Sequence, residues 1–366
     1  MNFPTSLPEI EARIHNLSIE AYGKTRNYKN GAVSYLSPYI SRGVISTKQL
    51  FEHALNQDLK WWEKEKFIQE LAWRDYWQQV WIAKGDLINK DLKQPQSKVN
   101  NHLIPKSIID GNTGIEAVDE AIETLKKTGY MHNHMRMYVA SMVCNLAQCH
   151  WLAPAQWMYG YLLDGDWASN ALSWQWVAGA NANKKYYANQ ENINRYFFTN
   201  QKNTFLDHDY ELLPELDIPY ALSELAGFDH HLQLPETRNL IIDNSKKTLI
   251  YNYYNIDPNW HKDEDVNRVF LIEPAFFEAY PINQKCLDFA INLTSNIPEI
   301  QIHVGSFDSL KEVVDPTKII YKEHPTNLSY TGTEEPRDWM FELKGYFPSF
   351  FNFWKKTKKK IDHIPK

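Results

Sequence analysis

The stretch Asp164–Trp176, DGDWASNALSWQW, concentrates more potential chemistry than any other part of the chain. Asp164 and Asp166 stand two residues apart, and Asn170, Trp174 and Trp176 follow. Paired carboxylates suit a metal ion, but no His or further carboxylate comes next at ligand spacing. Two readings stay open for the pattern alone: a structural turn with core aromatics, or a polar site walled by indoles. A second cluster is Glu70, Trp73, Arg74, Trp77 and Trp81, whose i, i+3, i+4, i+7, i+11 spacing puts them on one helical face. Asn133, Arg136 and Met137 share a face in the same way. Ser34, Leu36 and Ser37 sit where a loop opens a helix, so hydroxyls and N–H groups there suit an anion, with an ordinary helix cap as the plain alternative.

These residues need helices to hold them, and residues 1–205 read as helical. The spacing predicts a helix over Phe67–Ala83 and another from Met131 to Trp151, ending before Pro154. Between them Thr113 is the expected N-cap, Glu116 its capping-box partner and Gly129 the stop. Residues 206–236 are polar and Pro-containing and read as a connection. From 237 to 366 the rhythm changes, with strand-like runs at Thr248–Tyr253, Arg268–Ile272, Glu299–Val304 and Lys318–Tyr321. Helical stretches Gln284–Leu293 and Leu310–Val314 separate the later runs, which argues for a small parallel α/β layer. The expected fold class is therefore mainly α: an all-helical domain followed by a smaller, Rossmann-like α/β domain. Phe350–Lys360, FFNFWKKTKKK, ends the chain as an aromatic and then basic segment, read as a solvated tail.

Composition narrows the possibilities. Aromatic residues make up 14%, with 13 Trp and 21 Tyr, enough to fill a core and also to stack on planar rings. The three cysteines, Cys144, Cys149 and Cys286, show no CxxC spacing and are too few for a four-thiolate iron–sulfur cluster. A net charge of −6 excludes a generally basic nucleic-acid coat, so a DNA partner requires a local patch. Lys24, Arg26, Lys29, Arg42, Arg74, Lys184 and Lys185 are the candidates for it. No signal peptide or membrane-spanning run is present, which makes the cytoplasm the default expectation. A monomer is expected.

Five ordered blocks resemble the flavin-binding core of the DNA photolyase and cryptochrome family. They are Ser34–Tyr39 (SYLSPY), Glu70–Tyr76 (ELAWRDY), Gly111–Gly114 (GNTG) with Val118-Asp119, Gly129–Met137 (GYMHNHMRM) and Asp164–Trp176. The resemblance spans residues 20–200 and implies FAD as cofactor. It places Ser34, Leu36 and Ser37 at the pyrophosphate, with Tyr22 in place of the family's upstream tyrosine and Val33 where a Thr is usual. It pairs Arg136 with Asp164 against the flavin ring, sets Asp166 at the ring edge and points Asn170 at N5. Glu70, Arg74 and Asn133 complete that set. Photolyases carry Asn at the Asn170 position, and plant-type cryptochromes carry Asp. The resemblance further implies that Glu70, Trp73, Asn133, Met137 and Trp176 contact a flipped-out pyrimidine dimer. Enzymes acting on (6-4) lesions carry His where Asn133 and Met137 stand, so cyclobutane dimers are the expected substrate, in single- or double-stranded DNA.

Trp174 and Trp151 occupy the two inner positions of the family's electron-transfer chain, whereas the outer position falls near Lys98, in a loop without Trp. Family members usually begin with an α/β antenna domain. Here the helical part starts almost at Met1, and the C-terminal α/β half resembles that domain, which implies a circular permutation. Its arginine-rich signature is missing, so an antenna chromophore is unsupported. Two functional readings follow: a light-dependent lyase that splits cyclobutane dimers, or a blue-light photoreceptor without repair. A cofactor-free module that binds single strands by aromatic stacking is a third.

Overall fold

Three of the runs predicted as strands are buried on both faces, as the interior of a parallel sheet requires. The computed structural model describes residues 2–237 and 239–362. Two short strands, β1 (Ile104–Pro105) and β2 (Leu225–Ala226), pair antiparallel with Ile104 opposite Ala226. The main sheet contains β3 (Thr248–Tyr251), β4 (Asn267–Ile272), β5 (Gln301–Val304), β6 (Ile319–Lys322) and β7 (Thr333–Glu335). All its pairings are parallel, in the order β5-β4-β3-β6-β7, a doubly wound arrangement. All four strand-like runs became strands. β7 escaped the sequence reading because Thr-Glu-Glu has neither apolar character nor β-branched density, and it is held as an edge by β6. The helix Gln284–Thr294 crosses from β4 to β5, and Ile250, Val269, Leu271, Phe307 and Ile319 form a core against the sheet.

The chain forms two compact units. A helical unit comprises Glu20–Val33 and Lys84–His230; a mixed unit comprises Asn2–Ile19, Ser34–Ala83 and the chain from His231 onward. These units do not coincide with linear boundaries at 205 and 236. Residues beyond 205 are tied into the helical unit, where Pro214 O accepts from Lys98 Nζ at 2.8 Å and His230 bonds Trp157 O at 3.1 Å. The mixed unit interleaves early helices with the sheet. Its longest helix, Trp61–Lys84, starts six residues before the predicted Phe67. Its buried side carries Leu71, Ala72, Asp75, Tyr76 and Val80.

Within the helical unit, Gly129 ends Glu116–Thr128 in the left-handed conformation at φ 74°, as expected. The start differs from the predicted capping box. Asp119, not Glu116, accepts the N–H groups of Thr113 and Gly114 and the Thr113 hydroxyl. The helix expected to run from Met131 to Trp151 is Asn133–Ser141 followed by a π-helical turn, Met142–Leu146. Pro154 does not stop it but sits in the first turn of Leu152–Tyr161, where a missing N–H costs nothing. The C-terminal segment is not a solvated tail: Phe350–Asp362 is a helix whose Phe350, Phe353, Trp354, Thr357 and Ile361 are buried.

Asp75 ties three parts of the mixed unit together. Its carboxylate accepts from Thr47 Oγ1 at 2.8 Å and from Met340 N at 3.0 Å. Burial outweighs these bonds and the nearby Arg337 and Arg74, raising its pKa from 3.8 to about 6. A raised carboxyl pKa means that this site contributes most stability below pH 3.8 and loses it as the pH climbs through about 6. Asp75→Asn, which cannot ionise, should therefore narrow its stability deficit against wild type across that window by up to about 3 kcal/mol, at ~1.4 kcal/mol per pKa unit. Urea unfolding at a series of pH values checks this; parallel curves for the two proteins would refute the buried ionisation.

Candidate cofactor-binding site

In the helical unit, the first turn of Asn133–Ser141 and the turn before Trp167–Ala178 are joined by charge. Arg136 Nη2 donates to both carboxylate oxygens of Asp164 at 3.0 Å, and Arg136 Nε donates to Met131 O at 2.9 Å. Asp164 is buried and Arg136 half-buried, so the pair forms as the sequence implied, with the guanidinium edge turned outward. His132 caps this helix, its Nδ1 accepting from His134 N at 3.2 Å. Burial first, then the His134 and Arg136 charges, lower the His132 pKa to about 4, which keeps the ring neutral and its Nδ1 an acceptor.

Asp166 is buried and caps the next helix, accepting from Ser169 N at 2.9 Å. One turn on, Asn170 Nδ2 donates to Ala155 O at 2.8 Å. That bond fixes the orientation of the amide. A guanidinium, two carboxylates and an oriented amide on adjoining turns match the mixed donor and acceptor edge of a flavin, so this donor set fits the cofactor. Trp174 and Trp151 are both buried. Trp151 Nε1 donates to Asp91 Oδ1 at 2.7 Å, a partner 60 residues away that no local pattern could reveal. On the exposed side lie Asn133 and the half-buried Met137. Trp176 is 40% exposed on a helix whose other aromatics are buried, its ring tilted against Tyr186 at 5.7 Å. Tyr22 is half-buried in the same unit.

Ser34, Leu36, Ser37, Glu70, Trp73 and Arg74 belong to the mixed unit. The Ser34–Ser37 loop turns through Tyr35, a non-glycine residue at φ 54°. Such left-handed residues store on the order of 1–3 kcal/mol and concentrate at ligand-binding turns. The helix it opens is only Ser37–Ser41 and has no side-chain cap, weaker than the anion-binding helix start expected from sequence. Leu36 is fully buried, and its N–H already faces Ser34 Oγ at 3.4 Å. Arg74 Nη1 donates to Ser41 Oγ at 2.8 Å, and Glu70 pairs with Lys66 at 2.8 Å. Trp73 is half-buried, with Phe350 stacked on one face at 3.6 Å between centroids and 8° between planes. Trp81, on the predicted face, is core instead, edge-on to His324 at 5.2 Å.

In doubly wound sheets ligands enter where the strand order reverses, here at the carboxyl ends of β3 and β6. The residues just beyond those ends pack on one another. Asn252 Nδ2 donates to Asn327 Oδ1 at 3.0 Å, and Tyr254 stacks on His324 at 4.3 Å. Among the described residues no group of three or more His, Cys, Asp or Glu could hold a metal ion, and no helix is long and apolar enough to cross a membrane.

Removing Arg136 takes from the buried Asp164 the guanidinium that meets both of its oxygens. Arg136→Leu is expected to destabilise the protein by about 3 kcal/mol, and Arg136→Lys by less, because the charge survives without the two-oxygen contact. Denaturant titration with cofactor content measured alongside checks this; a Leu variant as stable as wild type would remove the pair from its structural role.

Residues 67–214 match the family model described as the FAD binding domain of DNA photolyase. A deoxyribodipyrimidine photo-lyase of Alkalihalophilus pseudofirmus is 29% identical over 164 residues, 44% of this chain and 34% of that protein. One from Halobacterium salinarum is 28% identical over 246 residues, 63% of this chain and 50% of that protein. A cryptochrome DASH of Synechocystis is 30% identical over 182 residues, 45% of this chain and 35% of that protein. The chain thus spans between a third and a half of the length of these relatives. Residues 67–214 thus carry an FAD-binding domain of the DNA photolyase type, and FAD is the cofactor that such a domain takes.

Proposed function

We propose that this protein is a light-dependent lyase that splits cyclobutane pyrimidine dimers in DNA. Bound in its reduced form, FAD would supply a light-driven electron that opens the cyclobutane ring and returns to the cofactor once the two pyrimidines have separated. The observation that carries the reading is Trp176. A large indole is left 40% exposed on the helix that also bears Asp166 and Asn170, as a stacking surface for an extruded base requires. Asn133 and Met137 support a cyclobutane substrate, since neither offers the imidazole acid that (6-4) chemistry needs.

Arg136, Asp164, Asp166 and Asn170 hold and orient the ring edge. Asn170 presents an amide oxygen that accepts from N5–H and has no acidic proton to give. Tyr22, Ser34, Leu36, Ser37 and Arg74 serve the rest of the cofactor; buried Leu36 contributes only main-chain atoms. Trp176 stacks on a ring of the lesion. Trp174 and Trp151 pass electrons inward, with the Asp91 carboxylate on the Trp151 N–H favouring positive charge on that indole.

Illuminating reduced protein with a thymine-dimer oligonucleotide should restore thymine. Dimer binding without restored thymine would favour a photoreceptor, the reading that the cryptochrome DASH relative supports. Trp176→Ala should weaken dimer binding by roughly 5- to 150-fold, since base–aromatic stacking is worth ~1–3 kcal/mol. Its melting temperature should hold, because the ring is exposed; unchanged affinity would remove Trp176 from the lesion site. Trp174→Phe should slow light-driven bleaching of the oxidised cofactor's absorbance yet leave repair by dithionite-reduced protein nearly intact. Loss of repair after chemical reduction would instead give Trp174 a structural role.

A further inference from the structure

We propose that the helix Phe350–Asp362 presents a lysine face that docks the phosphate backbone of DNA beside Trp73. This inference rests on DNA being the substrate partner, as in the function proposed above. Buried Phe350, Phe353, Trp354, Thr357 and Ile361 follow the i, i+3, i+4, i+7, i+11 stripe of an amphipathic helix. Exposed on the other side are Phe351, Asn352, Lys355, Lys356, Lys359 and Lys360. The helix holds five lysines against one aspartate, in a chain whose net charge is −6.

Folding does not account for this charge. Lys358 is committed, bonded to Glu65 at 2.7 Å and lying over Trp61 at 6.0 Å. Lys356 lies over Phe347 at 4.9 Å. Among the described residues, no carboxylate pairs with Lys355, Lys359 or Lys360. Lys359 and Lys360 in the last turn favour the helix dipole. Lys355 and Lys356 are too far from that end to do so. The i, i+4 pairs Lys355/Lys359 and Lys356/Lys360 instead repel by about 0.2–0.5 kcal/mol each. A polyanion relieves that repulsion on binding.

The polyanion that fits is nucleic acid rather than a lipid surface. A basic amphipathic helix binds membranes by inserting its apolar face. Here that face is already covered: Phe350 stacks on Trp73 at 3.6 Å, and Phe353 packs against Tyr76 and Phe347 at 5.9 and 5.2 Å. The lysines, with the single exposed ring of Phe351, are the face left to dock, and the helix begins at the residue that backs Trp73.

The test uses the full-length, FAD-loaded chain and the variant K355Q/K356Q/K359Q/K360Q. Affinity is measured for a thymine-dimer oligonucleotide and its undamaged counterpart across roughly 50–200 mM salt. The variant should keep its far-UV circular dichroism and bind both oligonucleotides more weakly, by about the same factor. Its log K against log salt slope should be shallower by about 2–4, at ~0.9 for each phosphate no longer neutralised. An unchanged slope overturns the proposal. So does an unchanged slope accompanied by lost binding to phosphatidylserine vesicles, which would assign the face to lipid. Repair scored in the same samples separates the two readings. A salt-slope change in a protein that repairs nothing supports the DNA-docking face and defeats the lyase, whereas full repair with an unchanged slope does the reverse. A wild type that binds neither oligonucleotide defeats both.

Discussion

A carboxylate buried without a partner costs several kcal/mol, and the helical unit is arranged so that Asp164 never bears that cost. Arg136 reaches both oxygens from one nitrogen, and its other donor is held by Met131 O. The pair thereby locks the start of one helix to the turn that starts another. Two residues on, Asp166 uses its own carboxylate to cap that second helix, which sets the azimuth of everything after it. Asn170, Trp174 and Trp176 then fall at fixed angles. Asn170 is pinned to Ala155, Trp174 points into the core and Trp176 out of it. The site is a consequence of one ion pair and one cap, propagated along a rigid helix.

The mixed unit solves a different problem. The Trp61–Lys84 helix carries Glu70, Trp73 and Arg74, yet it is stabilised by segments more than two hundred residues later in the chain. Phe350 covers one face of Trp73, Met340 N satisfies Asp75, and Arg337 Nη1 donates to Gln78. An aromatic stack of this kind adds about 0.5–1.5 kcal/mol beyond the area it buries, and it also fixes the indole plane. Residues 34–83 therefore depend on the C-terminal α/β half for their packing, and a linear division of the chain into cofactor and accessory domains misses that dependence.

Much of this was legible in the sequence. Strands β3, β4 and β6 are apolar runs of strand length, and burial on both faces of a parallel sheet demands such runs. Gly129 marked a helix end because a left-handed residue is needed there. The Arg136–Asp164 pair was implied by the family resemblance of the two blocks that carry it, and it forms. In each case the determinant is local, or is a residue type that only one chemistry suits.

What the tertiary structure decided depends on partners distant along the chain. Asp91 as the partner of Trp151, Ala155 O as the anchor of Asn170 and Phe350 as the cover of Trp73 have no signal in spacing. The same holds for β7, a polar edge strand defined by its neighbour, and for the helix Phe350–Asp362. That helix reads as a charged tail until its apolar stripe meets the Trp73 face. Propensity and period act over a few residues, so the sequence by itself determined which elements exist and which residue types they carry. Which face of each element is buried, and therefore which indoles are left to meet a ligand, is set by long-range contact, and that only the folded chain decides.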